Sequence, residues 1–125
     1  MKNKIETNQA PAAIGPYSQA VTSQELVFVS GQLPIDPATG IMPEDVAAQT
    51  RQSILNLKSV LEAAGTSINN VCKTTVFLQS MDDFAKMNTI YTELFEGSIY
   101  PARSAVEVAK LPKGALVEIE AIACK

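Results

Sequence analysis

Apolar residues fall in short blocks along this chain, and their spacing changes from block to block. Leu26–Ser30 reads LVFVS, a run opening on four apolar residues without alternation. Such a run predicts a strand buried on both faces. Gln32–Pro43 carries Pro34, Pro37, Pro43 and Gly40 and must be loop. From Asp45 to Ala64 the period becomes helical. Ala47, Ile54, Leu57, Leu61 and Ala64 share a stripe, Arg51, Gln52, Lys58 and Glu62 are polar, and Gly65 is a plausible C-terminal cap. Val71–Leu78 (VCKTTVFL) is rich in β-branched and aromatic residues and reads as a strand. Cys72, Thr74, Val76 and Leu78 share one of its faces, which makes Cys72 a small core residue. A second helix starts near Ser80, where Ser80-Met81-Asp82-Asp83 resembles a capping box; Phe84, Met87, Tyr91 and Leu94 form its stripe and Gly97 stops it. Ala102–Val108 and Leu116–Cys124 are the last two strands, joined by a turn at Leu111–Gly114. With a short strand near Gln19–Thr22 the order is β-β-α-β-α-β-β. This is a single α+β domain over residues 1–125, a mixed sheet with both helices in crossovers and packed on one face.

Two helices cover one face of such a sheet, and none is left for the other. Yet Leu26–Val29 calls for burial on both sides and Phe77 lies on the second face of its strand. An uncovered apolar face of several hundred Å2 is unusual for a monomer. The pattern predicts a homo-oligomer that buries this face against other subunits, with closure into a small barrel as the competing arrangement.

Composition narrows the chemistry. The 125 residues include no histidine and no tryptophan. No Ser–His–Asp or Cys–His arrangement can form within the chain, nor a metal site that needs imidazole, so no metal is expected. Lys plus Arg is 10 against 13 Asp plus Glu, a net charge of −3. That balance, with the basic residues scattered, argues against nucleic acid as a partner. Cys72 and Cys124 are far apart and form no CxxC motif. The first residues, MKNKIETNQAPAAIGP, lack the apolar core of a signal peptide, and no apolar run approaches the ~20 residues of a membrane span. A cytoplasmic protein with two reduced thiols is the expectation.

Few residues remain that can carry chemistry. Arg103 opens a largely apolar strand, and a guanidinium there needs an anionic partner. A structural salt bridge with Glu107 or Glu120 is the plainer reading; a bidentate clamp for a ligand carboxylate is the functional one. Glu118 and Glu120 share one face of the last strand, where one of them can orient or deprotonate a water. Alternation does not say which. Tyr17, in Gly15-Pro16-Tyr17-Ser18-Gln19, sits in a stiff turn that presents a phenol to a pocket or simply packs. Gly31, after Ser30, lets a backbone N–H approach a ligand closely. No phosphate-cradling glycine motif is present.

At these same segments the chain resembles the RidA family, also called YjgF, of small enamine/imine deaminases. The matching stretches are Ala10–Ala20 (APAAIGPYSQA), Val29–Pro34 (VSGQLP), Lys73–Phe77 (KTTVF), Asp83-Phe84-Ala85 through Asn88 and Tyr91, Pro101–Val108 (PARSAVEV), Leu111-Pro112-Lys113 and Val117–Ala123 (VEIEAIA). The resemblance implies a chorismate-mutase-like fold and a homotrimer with sites in the clefts between subunits. It implies hydrolysis of 2-imino acids such as 2-iminobutanoate and 2-iminopropanoate, released by pyridoxal-phosphate dehydratases, to 2-oxo acids and ammonia, with no cofactor. Carried over by position, Arg103 pairs with the substrate carboxylate and Glu118 positions or activates water. Tyr17, Ser30, Gly31 and Asn88 line the pocket, and backbone around Ala105 holds the imine nitrogen. Many bacterial members have Cys where this chain has Ala105, which excludes thiol chemistry at that position here. Two other classes of function stand beside this one: a regulatory module that binds a 2-oxo acid or similar carboxylate without turnover, and a ribonuclease or translation inhibitor, against which the charge balance argues.

Overall fold

The computed structural model describes all residues, Met1–Lys125. Six strands form one sheet in the order β1-β2-β3-β6-β4-β5. They are β1 (Lys2–Ile5), β2 (Ala20–Ser23), β3 (Leu26–Gln32), β4 (Val71–Leu78), β5 (Ala102–Glu107) and β6 (Val117–Cys124). Only β4 and β5 are parallel neighbours; the other pairs are antiparallel. The helices α1 (Val46–Ala63) and α2 (Phe84–Phe95) are the crossovers from β3 to β4 and from β4 to β5. The mixed α+β sheet expected from the apolar pattern is therefore present.

One strand lies outside the expected order. Lys2–Ile5 pairs with β2, Lys2 opposite Ser23 and Ile5 opposite Ala20. Its side chains are mostly exposed, so it carries no apolar alternation to read. The element order is thus β-β-β-α-β-α-β-β.

Asp45 caps α1 by accepting from the Ala48 N–H at 2.8 Å. Ser80 caps a 3-10 turn, Met81–Asp83, that leads directly into α2. The core lies between the helices and one sheet face, and combines Val27 and Val29 of β3, Val76 and Leu78 of β4, and Val117 and Ile119 of β6 with Ile54, Leu57, Val60 and Leu61 of α1 and Met87, Tyr91 and Phe95 of α2. The buried side of α1 is less apolar than its stripe suggested. Ala47 and Ala64 are half-buried, while Gln49, Thr50, Ser53 and Asn56 are buried.

These polar groups hold the proline-rich loop against the helix. Asn56 Nδ2 donates to the carbonyls of Leu33 and Ile35, at 3.0 and 2.9 Å. Gln49 donates to the Pro43 carbonyl and accepts from the Leu116 N–H, both at 2.8 Å. Gln19 secures the segment between β1 and β2 in the same manner, donating to the Thr7 and Pro11 carbonyls and accepting from the Thr7 N–H. Buried amides thus help to fix both segments.

Of two burial expectations, one is seen here for a single chain only and the other needs correction. Within one chain Leu26 and Phe28 are about 40% exposed (41% and 39%), and only Val27 and Val29 meet the helices. The continuous apolar run is a strand with one face in the core and one open. Cys72 is exposed rather than buried. The β4–β6 register shifts between Val71 and Lys73, so Val71 takes the inward place and Cys72 is displaced by the bulge.

Candidate active site

Strand partners decide which way each candidate faces. Arg103 pairs with Thr74 and Ala105 with Val76, and both partners are fully buried under the helices. Arg103 and Ala105 therefore lie on the helix side of the edge strand β5. Its Nη1 donates to Asn88 Oδ1 at 2.7 Å. The guanidinium carbon lies 4.7 Å from the Tyr91 ring centroid and 5.4 Å from that of Phe84. Phe84, Asn88 and Tyr91 recur at helical spacing on α2, so one helix face supplies the whole cradle.

Tyr91 is itself fixed, its hydroxyl 2.7 Å from Thr74 Oγ1 and its ring stacked on Phe95. Burial raises the Tyr91 pKa against the opposing pull of the Thr74 hydrogen bond and the Arg103 charge, so the ring stays neutral under the cation. The guanidinium opens onto a cavity of about 310 Å3 shared with Asn88, Thr92, Tyr100 and Pro101.

The salt bridge that spacing suggested does not form. Glu107 accepts instead from the Met81 N–H at 2.9 Å. Glu120 pairs with Thr75 and faces the opposite side of the sheet. The two ion pairs of the structure, Lys4–Glu6 and Arg51–Glu93, leave Arg103 without a carboxylate partner.

Glu118 belongs to a second cluster. It pairs with Phe77, on the sheet face opposite Thr74 and Val76. Between Val29 and Gln32 the β3–β6 register shifts, and the bulge places Gly31 directly against the Glu118 carboxylate. A Cβ on Gly31 would collide with Glu118 Oε2 and stand 2.9 Å from its Cδ. Gly31 is thus the seat of the carboxylate, a role in addition to the ligand approach expected of it. Half-burial pushes the Glu118 carboxyl above its ordinary range, and the like charge of Glu120 on the same face adds to the effect.

Tyr17, Ser30, Gly31 and Glu118 line one cavity of about 780 Å3, walled also by Leu33 and Ile35. Ser30 Oγ donates to the Ser18 carbonyl at 2.6 Å, tying this wall to the Tyr17 turn. Tyr17 is about half exposed (54%), so its phenol is presented rather than packed.

The predicted site residues thus appear as two groups on opposite faces of one sheet. Asn88, Arg103 and Ala105 lie on the helix side; Tyr17, Ser30, Gly31 and Glu118 lie around the other cavity. The aromatic cradle of Phe84 and Tyr91 was legible only as a core stripe. Its spacing relative to Asn88 was the available signal.

The profile of the family described as endoribonuclease L-PSP matches residues 7–125. The chain is 56% identical over 126 residues to a RutC family protein of Pyrococcus horikoshii, covering 100% of this chain and 99% of that one. It is 50% identical over 127 residues to the 2-iminobutanoate/2-iminopropanoate deaminase of Salmonella typhimurium, with 100% and 99% of the two chains covered. Escherichia coli TdcF, solved with bound serine, superposes with a TM-score of 0.96 at 47% identity, covering 98% of each chain. Full-length identity of this order, with the Arg103 and Glu118 strands inside the matched region, shows that the chain belongs to the endoribonuclease L-PSP family, among its RutC and Rid/YjgF members.

Proposed function

We infer that this protein is a hydrolytic deaminase that converts 2-imino acids and their enamine tautomers to 2-oxo acids and ammonia. The observation that carries the reading is Arg103, a guanidinium held by Asn88 and two aromatic faces, lacking a protein carboxylate and opening onto a cavity. Such a group is complementary to a ligand carboxylate. The structure of TdcF with serine is a relative's complex with a small carboxylate of this kind.

The chemistry asks little of the protein. Glu118 takes a proton from water as the oxygen adds to the imine carbon, and passes that proton to the imine nitrogen. The carboxylate then relays the hydroxyl proton of the carbinolamine to the amine, which leaves as ammonia while the C=O of the 2-oxo acid forms. A positioned base supplies about 10²–10⁴-fold, and holding the substrate against the water adds to it. Protonation chemistry at a C=N bond needs no cofactor of the protein's own.

Arg103 and Glu118 face opposite sides of one sheet, so a single chain does not bring them to one substrate. A second copy does. We assign the complete site to the cleft between subunits of a homotrimer, Arg103, Asn88 and backbone around Ala105 coming from one subunit and Glu118, Tyr17, Ser30 and Gly31 from the next. The half-exposed apolar side chains Leu26, Phe28 and Val106 support the same assembly, since they leave one sheet face to be covered. A cytoplasmic location goes with this reading, and no helix is long and apolar enough to cross a membrane.

The family description carries the word endoribonuclease, but the net charge is −3 and the basic residues are scattered along the chain, a poor balance for holding a polyphosphate backbone. A threonine dehydratase supplies 2-iminobutanoate for the test. The expected result is faster release of 2-oxobutanoate and ammonia with the protein than without it, and loss of that gain in Arg103→Ala. An unchanged spontaneous rate, together with calorimetric binding of 2-oxobutanoate, would assign the cleft to ligand sensing instead.

A further inference from the structure

The two cysteines stand far apart in sequence, but the sheet brings them together. Val71 pairs with Ala123 and Lys73 with Ile122, so Cys72 is the additional residue of a bulge lying beside the end of β6. Cys124 is the last residue of that strand. Both thiols donate to one acceptor, the Asn70 carbonyl oxygen, each with its sulfur at 3.6 Å. Both are free; Cys72 is exposed and Cys124 half-buried. Partial shielding from solvent and the adjacent Cys124 thiol push the Cys72 thiol up, so it is protonated at neutral pH.

We propose that Cys72 and Cys124 form a redox-active dithiol that closes to an intrachain disulfide, bracing the end of β6 against β4. Three features carry this. Val71, just before Cys72, is paired with Ala123, just before Cys124, so the two cysteines flank one strand pair and the bulge shortens the step between them. The bulge turns Cys72 out of the core position that simple alternation assigns to it. The shared Asn70 oxygen holds both sulfurs at one point on the rim of the sheet, where β6 gives way to Lys125.

The oxidant is a small-molecule disulfide. One cysteine thiolate attacks a sulfur of the oxidant, giving a mixed disulfide and releasing one thiolate. The second cysteine, deprotonated, attacks the protein sulfur of that bond and releases the other thiolate. Two protons pass from the cysteines to the two released thiols. The protein is oxidised by two electrons and the small disulfide is reduced by two. Neither cysteine takes part in imine hydrolysis. Glu118 is six residues upstream of Cys124 on the same strand, ~20 Å away at 3.3 Å per residue. The dithiol is therefore a separate site.

The experiment equilibrates the native, assembled protein with graded mixtures of oxidised and reduced glutathione, followed by alkylation and mass analysis. Both thiols should be lost together, with a mass decrease of two hydrogens. A non-reduced digest should join the Cys72 and Cys124 peptides, and non-reducing electrophoresis should show no cross-linked chains. Excess dithiothreitol should restore two thiols, and deaminase activity should be the same in both forms. In Cys72→Ser the remaining thiol should stop at the glutathione adduct, because no second sulfur is present to expel it. Stable glutathione adducts on the wild type, cross-links between chains, or thiols that react only after unfolding would each overturn the proposal.

Discussion

Glu118 stands half out of water against the backbone of Gly31, with a second carboxylate two residues along the same face. Its raised pKa has opposite consequences for activity and stability. In its proposed role as the base it must be ionised, so kcat/KM should fall on the acid side through a pKa above the ordinary carboxylate value. Tyr17, Asp36 and Lys113 line the same cavity, and Glu120 supplies the like charge. Glu120→Gln removes that charge and should move the acid limb to lower pH, while Glu118→Gln should abolish the limb; a limb that persists in Glu118→Gln would exclude Glu118 as the titrating base. For stability the folded state binds this proton more tightly than the unfolded chain. Stability contributed by this group therefore falls as pH rises from the ordinary value through the raised one. Glu118→Gln should lower turnover by about 10²–10⁴-fold and yet raise Tm at pH 7 relative to wild type. Gly31 offers a sharper probe of geometry. Its added Cβ in Gly31→Ala meets the carboxylate itself, so Glu118 must move. Displacing a base by ~1 Å costs about 10²-fold, and the loss should appear in kcat with KM nearly unchanged.

The elements were legible where burial follows a simple period, and less so where pairing interrupts it. Val71–Leu78 alternates as expected from Thr74 onward, but the bulge at its start reverses the side assigned to Cys72. A bulge depends on the partner strand, which lies some 45 residues downstream and is not visible locally. Likewise β1 is held by backbone bonds to β2 and shows almost no apolar signature. Arg103 and Glu118 were identifiable by residue type and by family motif. Their placement on opposite faces follows only once β4 is known to pair with both β5 and β6. The polar residues of α1 show the same dependence on context. Nothing local marks Asn56 as buried, and it carries the Leu33 and Ile35 carbonyls of two residues that wall the Glu118 cavity. Asn56→Ala leaves two carbonyls without their partner and should cost about 2–4 kcal/mol. The fall should appear as a lower urea midpoint at unchanged slope, with KM raised because the loop no longer holds the wall. A midpoint matching wild type would mean that water replaces the amide.

At the scale of the whole molecule, the division of the site between two faces makes a quantitative demand on assembly. In the proposed assembly Arg103→Ala removes one half of every site and Glu118→Gln the other, so each homotrimer should be inactive alone. In a trimer reassembled from equal amounts of both variants, each cleft would draw its Arg side from one subunit and its Glu side from a neighbour. A cleft is intact when an Arg103-bearing Glu118→Gln subunit meets a Glu118-bearing Arg103→Ala subunit in the right order. Random mixing makes about one cleft in four intact, so denaturing and refolding the two together should restore about a quarter of wild-type turnover. Sites contained within single chains would restore none, because every chain carries a lesion. The same experiment reports on the open sheet face. Phe28→Glu places a charge on that face, where Phe28 is half-exposed in the isolated chain. Burying an unpaired carboxylate against a neighbour is costly, so the variant should elute as a smaller species. It should also abolish the recovery when introduced into both partners of the mixture. Recovery that survives in the Phe28→Glu mixture would show that the two halves of the site meet without the Phe28 face, and would exclude that face as the interface completing the cleft.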